Sequence, residues 1–177
     1  MVPPPIFSPG DNPLIVALGT SLGARHRLLG QAVAALSGTP EVHVLACSNV
    51  YDTTPQGGVA RHRFLNAAVQ LETTLAPEPL LDVLQGVEAS LGRTRDQRWE
   101  DRTMDLDLVL WGGRVIETPR LVVPHPELHR RRFVLAPAAD LAPQARHPLR
   151  DRSLIQLLQA LPALPEDCVG LGPLTPC

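Results

Sequence analysis

Residues 98–111 read RWEDRTMDLDLVLW, a basic stretch that runs into an apolar one. The part from Met104 to Leu110 has the composition of a β-strand, yet Asp105 and Asp107 interrupt it two residues apart. Side chains alternate faces along a strand, so both carboxylates are expected on one face. Neighbouring anions on a half-buried surface repel each other and lose hydration, and oxygen ligands suit Mg²⁺, so we predict a metal-binding strand end. The spacing alone equally allows a solvated strand edge.

The segment before this strand is rich in arginine and contains Arg93, Arg95, Arg98, Trp99 and Arg102. Guanidinium groups form paired hydrogen bonds with phosphate oxygens. A basic loop beside two carboxylates is the arrangement expected where polyphosphate is held, and we predict that this is the active site. The alternative is a solvated basic loop in which the tryptophan is only an anchor.

The composition is that of an ordinary globular protein. The 177 residues are 44% hydrophobic and 19% charged, with a formal net charge of −2. So small a net charge argues against a general nucleic-acid or membrane binder. Three cysteines without paired spacing indicate a reducing compartment. We recognise no signal peptide and no apolar run long enough to cross a membrane, so we expect a cytoplasmic protein.

The hydrophobic periodicity predicts six elements in the order β-α-β-β-α-β. They lie at residues 14–18, 24–36, 42–51, 64–73, 77–91 and 104–110. This is the order of a ferredoxin-like core, in which two helices cover one face of an antiparallel sheet. Two more predicted helices, at 129–140 and 153–161, are expected to cover the second face.

We therefore predict an α+β fold, a ferredoxin-like βαββαβ core extended to an α-β-α sandwich with a mainly antiparallel sheet. Gly112-Gly113 predicts a tight turn into Val115-Ile116, which would form a hairpin with the aspartate strand. A single domain is expected to span residues 14–161. Residues 1–13 and 162–177 are rich in proline, and we expect both to be flexible tails.

Five stretches extend this interpretation and keep their order along the chain. They are LGTSLGARHRLL (18–29), SNVYDTTPQGG (48–58), FLNAAVQLET (64–73), GRTRDQRWEDRTMDLDLVLWG (92–112) and RLVVPHPELHRRRFVLAPAADLAP (120–143). Together they resemble one enzyme family, the hydroxymethyl-dihydropterin pyrophosphokinases of folate biosynthesis. The stretch with the two aspartates is the most specific of the five.

The resemblance implies transfer of pyrophosphate from ATP to the hydroxyl of 6-hydroxymethyl-7,8-dihydropterin, which gives AMP and the pterin diphosphate. It implies that Asp105 and Asp107 hold two Mg²⁺ ions and are catalytic. Arg98 and Arg102 match catalytic positions on a loop that folds over the nucleotide. ATP is the co-substrate, and the partners are expected to be small molecules, with no nucleic acid, no membrane and a monomeric chain.

The resemblance also implies two sets of binding residues. Those matched to ATP contacts are Gln85, Glu88, Arg95, Trp99, Leu108, Arg120, His125 and Arg131. Those matched to pterin contacts are Thr53, Thr54, Gln56, Phe64, Asn66 and Phe133. The two phenylalanines are expected to sandwich the pterin ring, and the amide of Asn66 to bond its edge.

The sequence departs from the family pattern at Ser21, Asp52, Val122 and Pro126, none of which is a metal ligand or a stacking residue. Two other functions use the same features. A two-metal phosphodiesterase could use the same aspartates but would usually need further carboxylates nearby. A ferredoxin-like RNA-binding module shares the element order but displays several aromatic residues on its central strands, which this chain lacks.

Overall fold

The protein was examined as a computed structural model that describes residues 13–55, 62–92, 103–162 and 168–174. Eight strands are present in these ranges: β1 (Leu14–Thr20), β2 (Val42–Cys47), β3 (Asn49–Thr53), β4 (Phe64–Thr73), β5 (Asp105–Trp111), β6 (Ile116–Glu117), β7 (Val122–Val123) and β8 (Cys168–Pro173). The helices are α1 (Arg25–Ser37), α2 (Pro77–Ser90), α3 (Arg132–Leu141) and α4 (Leu154–Ala160), with a short 3₁₀ turn at Leu128–Arg130. None of the helices in the described ranges has the length and apolar character that crossing a membrane requires.

Six strands form the main sheet, in the order β5-β1-β4-β3-β8, and β2 pairs with β4 beside β3. All pairings in this sheet are antiparallel. The βαββαβ order places β1 and β4 at the centre, as a ferredoxin-like core requires. The predicted α+β class and mainly antiparallel sheet are therefore confirmed.

The two faces of the sheet carry separate hydrophobic cores. On one face, α1 and α2 pack against β1 through residues such as Leu29, Leu84 and Val16. On the other, α3 and α4 pack against Ile15 and Ala68. The sheet is thus the middle layer of the predicted α-β-α sandwich, and each strand can direct alternate side chains to a different helical layer.

The strand predicted over residues 42–51 is wrong in one respect, because it is two strands separated at Ser48. The backbone N–H of Ser48 donates to the Ala68 carbonyl at 2.9 Å. Its hydroxyl in turn accepts from the Ala68 N–H at 2.8 Å. One serine therefore satisfies both polar groups of Ala68, and the chain turns from β2 to β3 without losing hydrogen bonds to β4.

Two predictions about the later part of the chain are wrong. Gly112 begins a turn, with a positive φ of 53°, but the hairpin that follows pairs β6 with β7 and does not return along β5. Residues 162–177 were expected to be a flexible tail, yet β8 pairs with β3 within them. The alternation in Cys168–Pro173 is weak because two of its residues are glycine, so no strand signal was visible.

Candidate functional site

The two predicted metal ligands lie on the same face of β5. Asp105 and Asp107 are half-buried, whereas Leu106 and Leu108 between and after them are buried against α1 and α2. Asp107 pairs in register with Ala17, which packs against the α3 and α4 layer. Both carboxylates therefore face the side of the sheet that α3 covers, as their spacing predicted.

A row of residues connects the carboxylates with the predicted pterin-binding amide. Asp105 pairs with Gly19 of β1, Gly19 pairs with Asn66 of β4, and Asn66 pairs with Tyr51 of β3. Paired residues of adjacent strands direct their side chains to the same face. Asp105 and Asn66 are thus separated by two strand spacings, about 10 Å.

Gly19 keeps the middle of this row open. A Cβ atom built at this position would lie 3.0 Å from Oδ1 of Asn66, closer than real Cβ atoms normally approach. Any side chain here would therefore push against the amide and fill the space between it and Asp105. The short gap leaves room for a small group of a substrate to reach the carboxylates.

The amide of Asn66 is held by a buried hydrogen bond. Its Nδ2 atom donates to Oγ1 of Thr53 at 2.6 Å. Both residues are nearly inaccessible, with 6% of Asn66 and 1% of Thr53 exposed. Since a buried donor without an acceptor is costly, this contact sets the orientation of the amide and directs Oδ1 toward Gly19.

Phe64 and Phe133 come from different layers of the fold. Phe64 precedes Asn66 by two residues on β4 and is half-buried, so it lies on the same face. Phe133 is in the first turn of α3 and packs against the core of that face. The guanidinium of Arg131 lies 5.8 Å from the centre of the Phe133 ring, within reach of a cation–π contact. Both rings thus lie on the side of the sheet that the aspartates face.

His125 belongs to the same neighbourhood. Its backbone N–H donates to the Val109 carbonyl at 2.9 Å, which joins it to β5. Its Nδ1 accepts from the Glu127 N–H at 3.1 Å, so Nε2 carries the proton of the neutral ring. Burial lowers the pKa of His125 and the positive charge of Arg131 lowers it further, while Glu127 and Asp105 oppose the shift. A neutral imidazole with a directed N–H therefore stands near Asp105 and Arg131.

Two of the three residues matched to ATP at α2 have protein partners in the structure. Oε1 of Glu88, which is 4% exposed, accepts from the Leu106 N–H at 2.7 Å. Arg120 is exposed and pairs with Asp82 at 2.5 Å and with Glu78 at 3.6 Å. Gln85 is half-buried on the same helix. All three residues therefore either lie on α2 or pair with it.

The side chain of Leu108 is 4% exposed and lies in the core under α1 and α2. Only its backbone could therefore meet a ligand.

Among the predicted pterin contacts, Thr54 is exposed, and its hydroxyl accepts from Arg63 at 3.0 Å. Arg63 also pairs with Asp52 at 2.5 Å, so a basic residue that sequence reasoning overlooked holds the end of β3.

Five of the predicted site residues lie outside the described ranges: Gln56, Arg95, Arg98, Trp99 and Arg102. Within those ranges, no group of three or more His, Cys, Asp or Glu residues could hold a metal ion. Two carboxylates alone leave most positions around a Mg²⁺ ion to water and phosphate oxygens, which is its usual coordination with polyphosphate. Two residues before Asp105 along the chain, Oγ1 of Thr103 is buried without a partner among the residues the structure describes.

The fold and these residues define an α+β protein of the ferredoxin-like type with polar side chains on the face of its sheet that α3 covers. Residues 15–143 match the model of the 7,8-dihydro-6-hydroxymethylpterin-pyrophosphokinase (HPPK) family, and the chain belongs to this family. A Pseudomonas aeruginosa protein named 2-amino-4-hydroxy-6-hydroxymethyldihydropteridine pyrophosphokinase is 44% identical over 147 residues, 83% of this chain and 90% of that protein. A Bacillus subtilis protein of the same name is 45% identical over 134 residues, 76% of this chain and 80% of that protein.

The fold also matches solved structures of longer proteins. A crystal structure of HPPK-DHPS in complex with substrates has a TM-score of 0.67 and 11% identity, over 85% of this chain and 43% of that one. The Plasmodium falciparum HPPK-DHPS A437G structure with SDX-DHP has a TM-score of 0.67 and 14% identity, over 87% of this chain and 46% of that one. This chain thus spans less than half the length of these structures, and the likeness concerns the fold.

Proposed function

We propose that the protein transfers pyrophosphate from ATP to the hydroxyl of 6-hydroxymethyl-7,8-dihydropterin. The hydroxyl oxygen forms a bond to the β-phosphorus, the bond from that phosphorus to the α–β bridging oxygen breaks, and AMP leaves with the oxygen. The hydroxyl proton is lost to solvent. Membership of the HPPK family and relatives that carry this activity in their names support the proposal.

The observation that carries the proposal is the row from Asp105 through Gly19 to Asn66. A pterin whose amide edge is bonded by Asn66 would extend its ring over the glycine and direct its hydroxymethyl arm toward the carboxylates. Phe64 and Phe133 are proposed to stack on the two faces of the ring, which is worth about 0.5–1.5 kcal/mol beyond the burial of area. Thr53 orients the amide, and Thr54 and Gln56 are proposed to meet the remaining polar edge.

Asp105 and Asp107 are the residues that would hold two Mg²⁺ ions. Their position on one face fits such a group, and so does the buried hydroxyl of Thr103, two residues before Asp105, which has no partner among the described residues. When bound, the ions would neutralise the charge on the triphosphate and favour ionisation of the attacking hydroxyl. This effect of the ions would remove the need for a dedicated protein base.

The remaining charged residues are proposed to bind the triphosphate and exclude water. The loop that contains Arg95, Arg98, Trp99 and Arg102 would cover the nucleotide. Displacing water from the site would strengthen the contacts between the arginines and the phosphates. His125, whose pKa responds to the charges of Asp105 and Arg131, and Arg131 itself are proposed to contact phosphate as well. Gln85, Leu108 and Arg120 are proposed ATP contacts at the α2 side.

The other two functions receive less support. A two-metal phosphodiesterase would need further carboxylates near the pair, and the described ranges contain no larger acidic or histidine group. An RNA-binding module would need aromatic rings across β1 and β4, and their central residues are aliphatic.

We further propose that the protein acts as a cytoplasmic monomer. Light scattering coupled to gel filtration would test the oligomeric state.

The decisive experiment incubates the protein with Mg²⁺, ATP and the hydroxymethyl pterin and separates the nucleotides by chromatography. The proposal requires AMP and the pterin diphosphate in equal amounts, and requires that both depend on the pterin. Accumulation of ADP, or of AMP without the pterin, would contradict it.

A further inference from the structure

Glu88 is an acidic residue buried where α2 meets the outer edge of the sheet. Only 4% of it is exposed, and its Oε1 lies 2.7 Å from the backbone N–H of Leu106. Burying a carboxylate is costly unless it accepts hydrogen bonds, and bonds to a charged acceptor are stronger than neutral ones. The contact therefore restrains both partners strongly.

Leu106 is the residue between the two proposed metal ligands. Along an antiparallel strand, successive residues alternate between directing their N–H and C=O groups toward the neighbouring strand and away from it. The Leu106 N–H is bonded by Glu88 on the side away from β1, so the flanking Asp105 and Asp107 direct theirs toward Gly19 and Ala17. Three consecutive residues are thus held, two by β1 and one by Glu88.

The location of β5 makes this restraint important. In the described sheet, β5 has a neighbouring strand on one side only, β1. Edge strands fray more easily than central ones because their outer N–H groups face solvent. Without an acceptor at Leu106, the peptide between the two aspartates would be free to tilt and to spread their carboxylates.

We propose that Glu88 is a positioning residue, which anchors the peptide between Asp105 and Asp107 so that both carboxylates are preorganised for a divalent cation. This replaces the nucleotide contact expected for Glu88 from the family resemblance, and it rests on the proposed function. Residues that orient metal ligands typically change metal affinity by about 10–100-fold when they are removed. Glu88 exerts this effect through the backbone, from the side of the strand opposite β1.

The test compares Glu88→Ala, Glu88→Gln and the control Glu72→Ala, an exposed glutamate on β4. Glutamine keeps a carbonyl oxygen that can accept from Leu106, whereas alanine does not. In the free protein, hydrogen exchange at the Leu106 amide should accelerate at least about tenfold in Glu88→Ala and stay near wild type in the other two. This readout is independent of catalysis.

The second readout is the affinity for Mn²⁺ in the presence of α,β-methylene ATP, measured by electron paramagnetic resonance. Glu88→Ala should bind Mn²⁺ about 10–100-fold more weakly, with an unchanged preference for ATP over GTP. Unchanged Leu106 exchange in Glu88→Ala, or an altered nucleobase preference with normal Mn²⁺ affinity, would overturn the proposal. If Glu88→Ala does not fold, Glu88→Gln provides the test. This variant keeps the acceptor for the Leu106 N–H, so weaker Mn²⁺ binding in it would equally refute the role. Absence of AMP formation by the wild type would refute the proposed function alone, since neither readout requires turnover.

Discussion

Replacing Thr53 by valine tests whether the pterin-binding amide is oriented before the substrate arrives. Valine keeps the shape of threonine but removes the hydroxyl that accepts from Asn66 Nδ2 at 2.6 Å. Because both residues are buried, the amide is left with a donor that no water reaches, which costs about 1–3 kcal/mol. For a chain of this size each kcal/mol corresponds to a fall in Tm of about 2–4 °C.

The functional consequence follows from the same hydrogen bond. An amide released from Thr53 samples other orientations, and only one presents Oδ1 and Nδ2 correctly to the pterin edge. We expect KM for the pterin to rise about tenfold, equivalent to about 1.4 kcal/mol, while KM for ATP stays unchanged. The assays are thermal unfolding followed by circular dichroism and initial rates of AMP formation at varied pterin concentration.

A matched control is Thr74→Val, since the Thr74 hydroxyl makes a longer, exposed contact of 3.3 Å with Glu41. It should change neither Tm nor the pterin KM. The reasoning would be refuted if Thr53→Val behaved like this control. A rise in the ATP KM equal to that of the pterin KM would also count against it, because it would indicate a general distortion of the cleft.

Four further outcomes are expected. Asp107→Asn should abolish AMP formation with little change in Tm, and turnover retained in rate assays would remove the metal assignment. Gly86→Ala should raise the free energy of unfolding by about 0.5–1 kcal/mol in urea titrations, because a Cβ there meets nothing within 4 Å and alanine favours helix. Burial lowers the pKa of His147, and the charges of His129 and Arg150 lower it further. As the pH falls, His147 is therefore protonated in the unfolded chain before it is protonated in the folded protein. Stability should therefore fall as the pH drops below about 6.5, and less steeply in His147→Gln. Ending the chain after Leu161 removes β8 and should lower Tm, which calorimetry can measure.

The local elements were predictable wherever one residue pattern determined them. The apolar positions of α1 and α2 recur at helical spacing, and β4 was predicted with its observed bounds. The break at Ser48 was not predictable, because it depends on a hydroxyl that bonds a strand distant in sequence. The partner of β8 was hidden for a similar reason: pairing with β3 is a tertiary property, and Gly170 and Gly172 carry no alternation.

For the site, the sequence revealed which residues are chemically able to act but not what holds them. The spacing of Asp105 and Asp107 fixed their common face in advance. The pairing of Arg120 with two acids of α2 joins residues far apart in the chain, and no sequence motif predicts it. The role of Gly19 likewise appears only once β1 lies between β5 and β4.

The position of β8 has a consequence for the order of assembly. On its inner side β3 pairs with β4, the next strand along the chain. On its outer side it pairs with β8, which lies more than a hundred residues later in the sequence. Contacts between distant segments form late because closing the loop costs entropy. Loss of β8 should therefore leave the refolding rate nearly unchanged and accelerate unfolding. The strand that contains Thr53 is then held on its outer side by the strand pairing that forms last. The unfolding rate of the native state would depend on that pairing.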